Sequence, residues 1–515
     1  MATKNLGRYR PVRTETHSLD RRRFLGLATA GLIGAWSGRL GAQEPQRLPT
    51  LPVCQVLPGQ RVLVIGAGIS GLAAARALTD AGYDVLVIES KNRIGGRIDT
   101  SSQWADAPMD LGASWIHGTQ NNPIATIARD IGAETVTTSD SAAVIYGSDG
   151  ETLTSAEEQR LAQLQGQIEQ IVLEGQDANQ DRPLRETVEA GIGFGGLSPQ
   201  DQHFVNFILG EVEQDSAGSA ASLSTYWFDD PGYFNGPEVV FPAGYRVITD
   251  HLAAGLAIEL GQTVSDIAVA SDGVTVTTQS GVFHGQCAIV TLPLGVLKAG
   301  TVRFSPGLPS AMQQAIDTLR MGVLNKTHLR FPTAFWPENL DWMQQVPQQH
   351  GEWLNWLNMS RVVNRPILAG FNAADFGRQI ESWSDQAIVA DGMEKLRSIF
   401  GTGIPDPVDH QITRWASDPQ TRGSYSYLPA GADPAMRDAL AGSLEGRVFF
   451  AGEATNRQYY PTVHGAYLSG LAAVERVAPG TISNRLLGGN ATIFCDDFES
   501  GDTSRWSTRR PTMSP

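Results

Sequence analysis

Residues 61–97 read Arg61-Val-Leu-Val-Ile-Gly66-Ala-Gly68-Ile-Ser-Gly71-Leu-Ala-Ala-Ala-Arg-Ala-Leu-Thr-Asp80-Ala-Gly82-Tyr-Asp84-Val-Leu-Val-Ile-Glu89-Ser-Lys-Asn-Arg93-Ile-Gly95-Gly96-Arg97, and this stretch decides the fold. Val62 to Ile65 is a short apolar run rich in β-branched residues, the pattern of a strand buried on both faces. Three glycines follow at once. Gly66 allows a tight turn, Gly68 lets the backbone approach a pyrophosphate, and Gly71 lets the next helix pack on the strand. The helix runs from about Ser70 to Leu78, with Gly82 placed to end it. Its first N–H groups, around Ile69 and Ser70, point at phosphates. Asp84 to Ile88 is the second strand. Glu89, with Ser90 beside it, ends that strand eighteen residues after Gly71. A carboxylate there suits a ribose hydroxyl and disfavours a 2′-phosphate. On these features NAD and FAD both remain open.

Arg93-Ile94-Gly95-Gly96-Arg97 separates them. The glycine pair gives a second close backbone approach, and Arg97 can neutralise a pyrophosphate. This extension resembles the flavoprotein family that contains amine oxidases, phytoene desaturases and protoporphyrinogen oxidase, and the resemblance implies FAD. It also implies the architecture: an α/β fold with a Rossmann-type FAD-binding domain, in segments 55–132, 238–307 and 405–482, interleaved with an α+β substrate-binding domain, in segments 133–237 and 308–404.

The rest of the chain sets bounds. A length of 515 residues favours two or more domains. A hydrophobic content of 41% and 55 glycines fit an α/β enzyme. The net charge of −15 argues against nucleic acid as a partner and is compatible with a cationic substrate. Asp20-Arg21-Arg22-Arg23-Phe24-Leu25 resembles a twin-arginine export signal, and the apolar stretch to Trp36 is short for a membrane span. The expectation is a signal segment over 1–42 and a periplasmic or secreted protein with no stable membrane span. An uncleaved anchor is the alternative. Of the three cysteines, Cys287 reads as inert core, while Cys54 and Cys495 have the option of pairing. No CxxC spacing is present, so no metal site is expected. Residues 483–515 read as a polar, irregular tail.

Four further segments resemble the flavin-dependent amine oxidases, in particular the polyamine oxidase branch, and together they cover most of residues 60–480. Asp110-Leu-Gly112-Ala113-Ser114-Trp115-Ile-His117-Gly118 is similar to the segment that passes the flavin ring, which implies FAD contacts for Gly112, Ala113, Ser114 and Trp115 and a substrate role for His117. A lone histidine is otherwise more often structural. Met321-Gly-Val-Leu-Asn-Lys326-Thr-His328 resembles the strand whose lysine holds a water beside flavin N5 and aids reoxidation by oxygen. Lys326 is otherwise a solvated strand-edge residue. In Arg414-Trp415-Ala-Ser-Asp-Pro-Gln-Thr-Arg-Gly-Ser424-Tyr425, Trp415 resembles the tryptophan packed on the flavin and Tyr425 one wall of an aromatic cage. Tyr427 reads as core. Monoamine oxidases carry a flavin-binding cysteine where this chain has Ser424, so non-covalent FAD is expected.

Phe449-Phe-Ala-Gly452-Glu453-Ala-Thr-Asn-Arg-Gln-Tyr-Tyr-Pro-Thr462-Val463 is the most specific match. A glycine-rich turn between strand and helix again aims N–H groups at a cofactor. Glu453 resembles the carboxylate that bonds the phosphoribityl chain, and Val463 the residue whose N–H meets flavin O2. Thr462, which faces cofactor and substrate, stands where plant polyamine oxidases and monoamine oxidases have tyrosine. Spermine oxidase and flavin-dependent histone demethylases have threonine there. Val264 resembles the valine whose backbone meets the adenine. Glu211, Glu213 and Asp215 are acids on a helix; Glu213 is taken as the ligand of a polycation, against the ordinary reading of a solvated face.

The activity these matches imply is oxidation of an amine, a polyamine by class, by hydride transfer to flavin N5. The imine then hydrolyses to an aldehyde and an amine, and oxygen becomes hydrogen peroxide. Lys326, His117 and Tyr425 are the expected catalytic residues, with small amines and molecular oxygen as partners. The alternatives are a monoamine or L-amino-acid oxidase, a flavin desaturase, and a degenerate FAD-binding protein without activity.

Overall fold

The computed structural model describes residues 56–482. Strand β1 (Arg61–Ile65), helix α1 (Ile69–Asp80) and strand β2 (Asp84–Ile88) form as the glycine spacing predicts. Gly82 sits just past the helix at φ 85°, a left-handed position that favours glycine. β1 and β2 pair in parallel at the centre of a six-stranded sheet. Cys287–Val290 and Val448–Phe450 extend it in parallel on one side, and Ala257–Glu259 on the other; Ser443–Leu444 closes the first edge antiparallel. Both faces are covered. Val62 and Val64 pack with Leu72 and Leu78 in one apolar layer, while Leu63 and Ile65 pack with Val290, Ile316 and Phe450 in the other. That double burial explains the unbroken apolar runs.

A second six-stranded sheet carries the rest of the argument. Its strands are β3 (Ala143–Tyr146), β4 (Leu324–Arg330), β5 (Trp342–Gln345), β6 (Asn355–Asn358), β7 (Ile367–Ala373) and β8 (Asp409–Ile412). The order is β8-β4-β7-β6-β5-β3, antiparallel except for the β5–β3 pair. Register places Lys326, Phe371, Asn355, Gln344 and Ile145 directly opposite one another, so they form one rung with their side chains on one face. The next rung on that face is Gln411, His328, Ala369, Leu357, Trp342 and Ala143.

Two helices complete the frame. Ser198 caps the one at Pro199–Ser216 (α2) through Asp201 N, and Thr462 caps the one at Val463–Val477 (α3) through Gly465 N. α3 lies against α1 so closely that a Cβ on Gly470 would overlap the Ser70 carbonyl oxygen, and the Ser70 and Ser469 hydroxyls meet at 3.2 Å.

One reading is corrected by the structure. Cys287 is disulfide-bonded, not a free core thiol. The other two cysteines, Cys54 and Cys495, lie outside the described residues, as do the segments 1–42 and 483–515.

Candidate active site

A cavity of about 950 Å³ is lined from both sheets, at the upper end of the roughly 300–1,000 Å³ typical of ligand pockets. Gly66, Gly68, Ile69, Ser70, Glu89, Ser90, Arg97 and Val264 line one end of it. Gly66 adopts φ 104°, and a Cβ on Gly71 would overlap the Gly66 carbonyl oxygen. Gly71 itself is beneath the cavity wall and acts by close packing. α1 starts without a side-chain cap at Gly68 and without an acid in its first turn, so its N–H groups are available to an anion. Glu89 is buried and accepts from Ala67 N and Lys91 N, each at 2.7 Å. Ser90 Oγ adds a 3.3 Å bond to Oε1. Together these bonds fix the carboxylate at the end of β2 and leave Oε2 with a lone pair for a hydroxyl. These features fit a dinucleotide: backbone donors for phosphate, a fixed acid for ribose, and glycines where side chains would intrude.

Gly452, Glu453, Thr462 and Val463 line the cavity from the other glycine-rich turn. Gly452 is at φ 130°. Glu453 is buried, takes a 2.9 Å bond from Arg97 Nη1 and a 2.7 Å bond from Ser426 Oγ. Thr462 is committed locally: its hydroxyl donates to Tyr459 O at 2.6 Å and accepts from Gly465 N at 3.0 Å. That cap starts α3 at Val463, whose N–H is among the first-turn donors that have no acceptor within the helix.

Between these ends lie Gly112, Ala113, Ser114, Trp115, Lys326, Trp415 and Tyr425. A Cβ on Gly112 would overlap the Arg97 carbonyl oxygen. Lys326 is 5% exposed. Its Nζ donates to Gly112 O at 2.6 Å, Ser114 Oγ at 2.5 Å and Asp110 O at 3.1 Å. An ammonium has three donors, so this one is fully engaged by the 110–114 segment. Burial pulls the lysine down to about 8, against the opposing pull of Asp110. The ammonium also stands 5.5 Å over the Trp115 ring and 5.8 Å over Phe371. Trp415 is buried and donates to Leu111 O at 3.3 Å, while the Tyr425 hydroxyl donates to Gln214 O at 2.9 Å. Ser424 exchanges hydrogen bonds with both backbone groups of Leu324.

The remaining wall is aromatic and acidic. Trp115 stacks on Trp342 at 5.8 Å and both contact Phe371. Glu211 and Asp215 line the cavity from α2, and Asp140 lines it from a loop. Glu211 accepts from Asn355 Nδ2 at 2.8 Å, and burial first, then Asp215, push it up to about 8. Glu213 is corrected: it does not line the cavity. It is buried on the other side of α2, where it accepts from Ala220 N and contacts His350 Nε2, each at 2.8 Å. The helical period explains this, since residues 211 and 215 share a face and 213 does not. His117 lies at the rim, its side chain 54% exposed, with Nδ1 2.7 Å from Glu238 Oε2.

Sequence reading alone passed over Trp342, Phe371, Asn355 and Gln344. Alternation along β5, β6 and β7 carries their signal, but only the register between strands puts them on the Lys326 rung.

The comparisons with known proteins agree with this geometry. A model of the family described as flavin containing amine oxidoreductase matches residues 69–478. The chain is 35% identical to Lysine-specific histone demethylase 1 homolog 1 of Arabidopsis thaliana, over 85% of this chain and 54% of the relative. It is 34% identical to Lysine-specific histone demethylase 1 homolog 2 of the same plant, over 81% and 58%. It is 33% identical to Polyamine oxidase 2 of Arabidopsis thaliana, over 80% and 87%. The chain thus spans little more than half the length of the demethylase relatives. It belongs to the family of flavin containing amine oxidoreductases, with that family's FAD-binding α/β architecture. The expectation of twin-arginine export to a periplasmic or secreted location is corrected: the similar proteins are plant histone demethylases and polyamine oxidases. The Arg21–Arg23 segment precedes the family match and lies outside the described residues, and no described helix is long and apolar enough to cross a membrane.

Proposed function

We propose that the chain oxidises an amine carrying a further positive charge, a polyamine by class. The observation that carries this reading is the acid pair Glu211 and Asp215 on the same cavity as Lys326. Asn355, which bonds Glu211, shares the Lys326 rung two strands away, a separation of about 9.5 Å between backbones. A flexible polycation spans that distance, with one nitrogen at the aromatic wall and another at the acids.

When bound, FAD supplies the two-electron acceptor for the C–H bond beside the amine nitrogen and passes the electrons to oxygen, giving hydrogen peroxide. The chain's residues do the rest. Trp115, Trp342, Phe371 and Tyr425 exclude water around the reacting nitrogen, which favours its neutral form and keeps a lone pair available. Glu211 and Asp215 hold the remote nitrogen charged. His117, paired with Glu238 at the rim, meets the substrate on entry and orients it. Lys326 releases one of its three bonds to hold a water at the reaction centre, helped by a pKa pulled down to about 8. Thr462 acts through its cap, fixing the Val463 N–H as a donor toward developing charge. Ser424 offers a hydroxyl already bonded to Leu324, so FAD is held without a covalent link. The imine product leaves and hydrolyses to an aldehyde and a shorter amine.

A second reading takes a methylated lysine in a basic peptide as substrate. The relatives named histone demethylases favour it, at 35% identity against 33% for Polyamine oxidase 2. Anaerobic mixing of the flavin-loaded protein with spermine, spermidine, N-acetylspermine, a monoamine, an amino acid and a dimethyl-lysine peptide tests both. Bleaching of the flavin by polyamines supports the first reading. Bleaching by the peptide alone replaces it with the second, and bleaching by none removes amine oxidation.

A further inference from the structure

On the face of β4 that carries Lys326, the next residue is His328, and Gln411 of β8 lies directly opposite it. Both are buried, at 2% and 5% exposure. His328 Nδ1 and both polar atoms of the Gln411 amide make no hydrogen bond to any described residue. Three such atoms on two facing residues are unusual, because buried polar groups are almost always satisfied by protein or by internal water. An apolar pair would fill the same place without that cost.

The row continues outward. The following pair on this face is Arg330 and Asp409. Arg330 bonds the exposed carboxylate of Asp106, and Asp409 accepts from Trp104 Nε1. The three steps Lys326, His328–Gln411 and Arg330–Asp409 therefore lead from the cavity to solvent. Residues two apart on a strand are separated by about 6.8 Å, a gap that one or two bridging waters close. The charged and titratable groups around the row are Asp110, with Asp99 and Tyr245 behind it, at the Lys326 end, and Asp106, Arg330, Arg365, Asp409 and His410 at the outer end. Burial, and then the charge of Lys326, hold the imidazole down at about 3, so it stays neutral and keeps one donor and one acceptor nitrogen.

We propose that His328 and Gln411 seat internal water that joins Lys326 to the Arg330–Asp409 surface, a proton route serving the oxygen step, with both acting as positioning residues. This rests on the reading that Lys326 acts at the reaction centre. The chemistry requires such a supply. Hydrogen peroxide carries two hydrogens: one leaves the substrate carbon as hydride, with the electron pair, and the second is a proton that a buried centre must receive from solvent.

The test separates this from the amine reading. The flavin-loaded protein is reduced with dithionite, not with an amine, and mixed with oxygen in a stopped-flow instrument, in H2O and in D2O. In His328→Leu and Gln411→Leu, reoxidation is expected to slow by about a hundredfold, the lower end of a proton-transfer contribution, with a larger solvent isotope effect. His328→Gln, which keeps a polar atom and guards against a folding failure in the leucine variant, should recover part of the rate. A high-resolution structure of the wild type should show ordered water bonded to His328 Nδ1 and Gln411. Reoxidation unchanged in both leucine variants, or a dry His328–Gln411 contact, would overturn the proposal. Failure of every amine to bleach the flavin would leave these two measurements intact.

Discussion

Glu211 and Asp215 stand one helical turn apart on the cavity face of α2, and the second suppresses ionisation of the first. Burial is the larger cause, and together they push Glu211 up to about 8. The sign follows from the raised value. The folded state holds this proton more tightly than the unfolded chain, so the stabilisation is complete below the ordinary carboxylate range and is lost as pH rises toward 8. A bound cation acts in the opposite direction, drawing the proton off and pairing with the carboxylate. The KM for spermine is therefore expected to fall between pH 6 and 8 in the wild type. Glu211→Gln should raise KM by about tenfold, the value of one charge-assisted contact, and flatten that dependence. Steady-state kinetics across this pH range check both, and an unchanged KM removes Glu211 from substrate binding.

Glu213 gives the contrasting outcome. Its carboxylate satisfies Ala220 N and meets His350, away from the cavity. Glu213→Ala should cost about 1–3 kcal/mol of stability, because it leaves a buried N–H unsatisfied, with spermine KM unchanged in the folded fraction. Denaturant unfolding and kinetics on the same preparation distinguish the two acids.

These neighbouring acids also show how far the sequence could be read. Local patterns were legible: β1, α1 and β2 follow from glycine spacing and apolar runs, and Glu89 from its place at a strand end. The cavity-lining positions of Gly66, Arg97, Lys326, Trp415 and Glu453 follow from motifs that are themselves local. What depends on facing was harder. Choosing Glu213 over Glu211 was a choice of helix face, and the face is set by Phe204, Ile208 and Val212 packing into the apolar cluster with Leu164 and Leu354. Trp342 and Asn355 join the site through strand register, which no single strand encodes. The Cys287 disulfide was likewise invisible, since a buried cysteine in an apolar strand reads the same reduced or bonded.

Gly71→Ala tests the nucleotide end. A Cβ there would overlap the Gly66 carbonyl oxygen, which is backbone and has no rotamer to escape through. The turn must open, and the N–H groups at the start of α1 lose their aim. The variant is expected to purify with flavin at well under a tenth of the wild-type ratio, an affinity loss of more than about 1.4 kcal/mol. Absorbance at 450 nm against protein concentration measures it. Full flavin content would mean that the cofactor does not rest on this turn.

Lys326→Met separates the catalytic from the structural share of the buried ammonium. Burial pulls its pKa down from 10.5 to about 8, so the unfolded chain binds the proton more tightly. Between pH 8 and 10.5 the unfolded state therefore carries more protons, and this group makes stability rise with pH through that window. Methionine removes the titration, so the slope of stability with pH should flatten there relative to the wild type. It also leaves Gly112 O and Asp110 O without the donor they had, and Tm at pH 7 reports the balance between that loss and relief from a buried charge. Activity answers a different question. If Lys326 holds the water that serves the oxygen step, dithionite-reduced Lys326→Met should reoxidise about a hundredfold more slowly, while bleaching by spermine under nitrogen changes by less. Equal loss in both halves of the cycle would assign the lysine to holding the 110–114 segment in place, with its influence on both steps passing through Trp115 and the ring it presents.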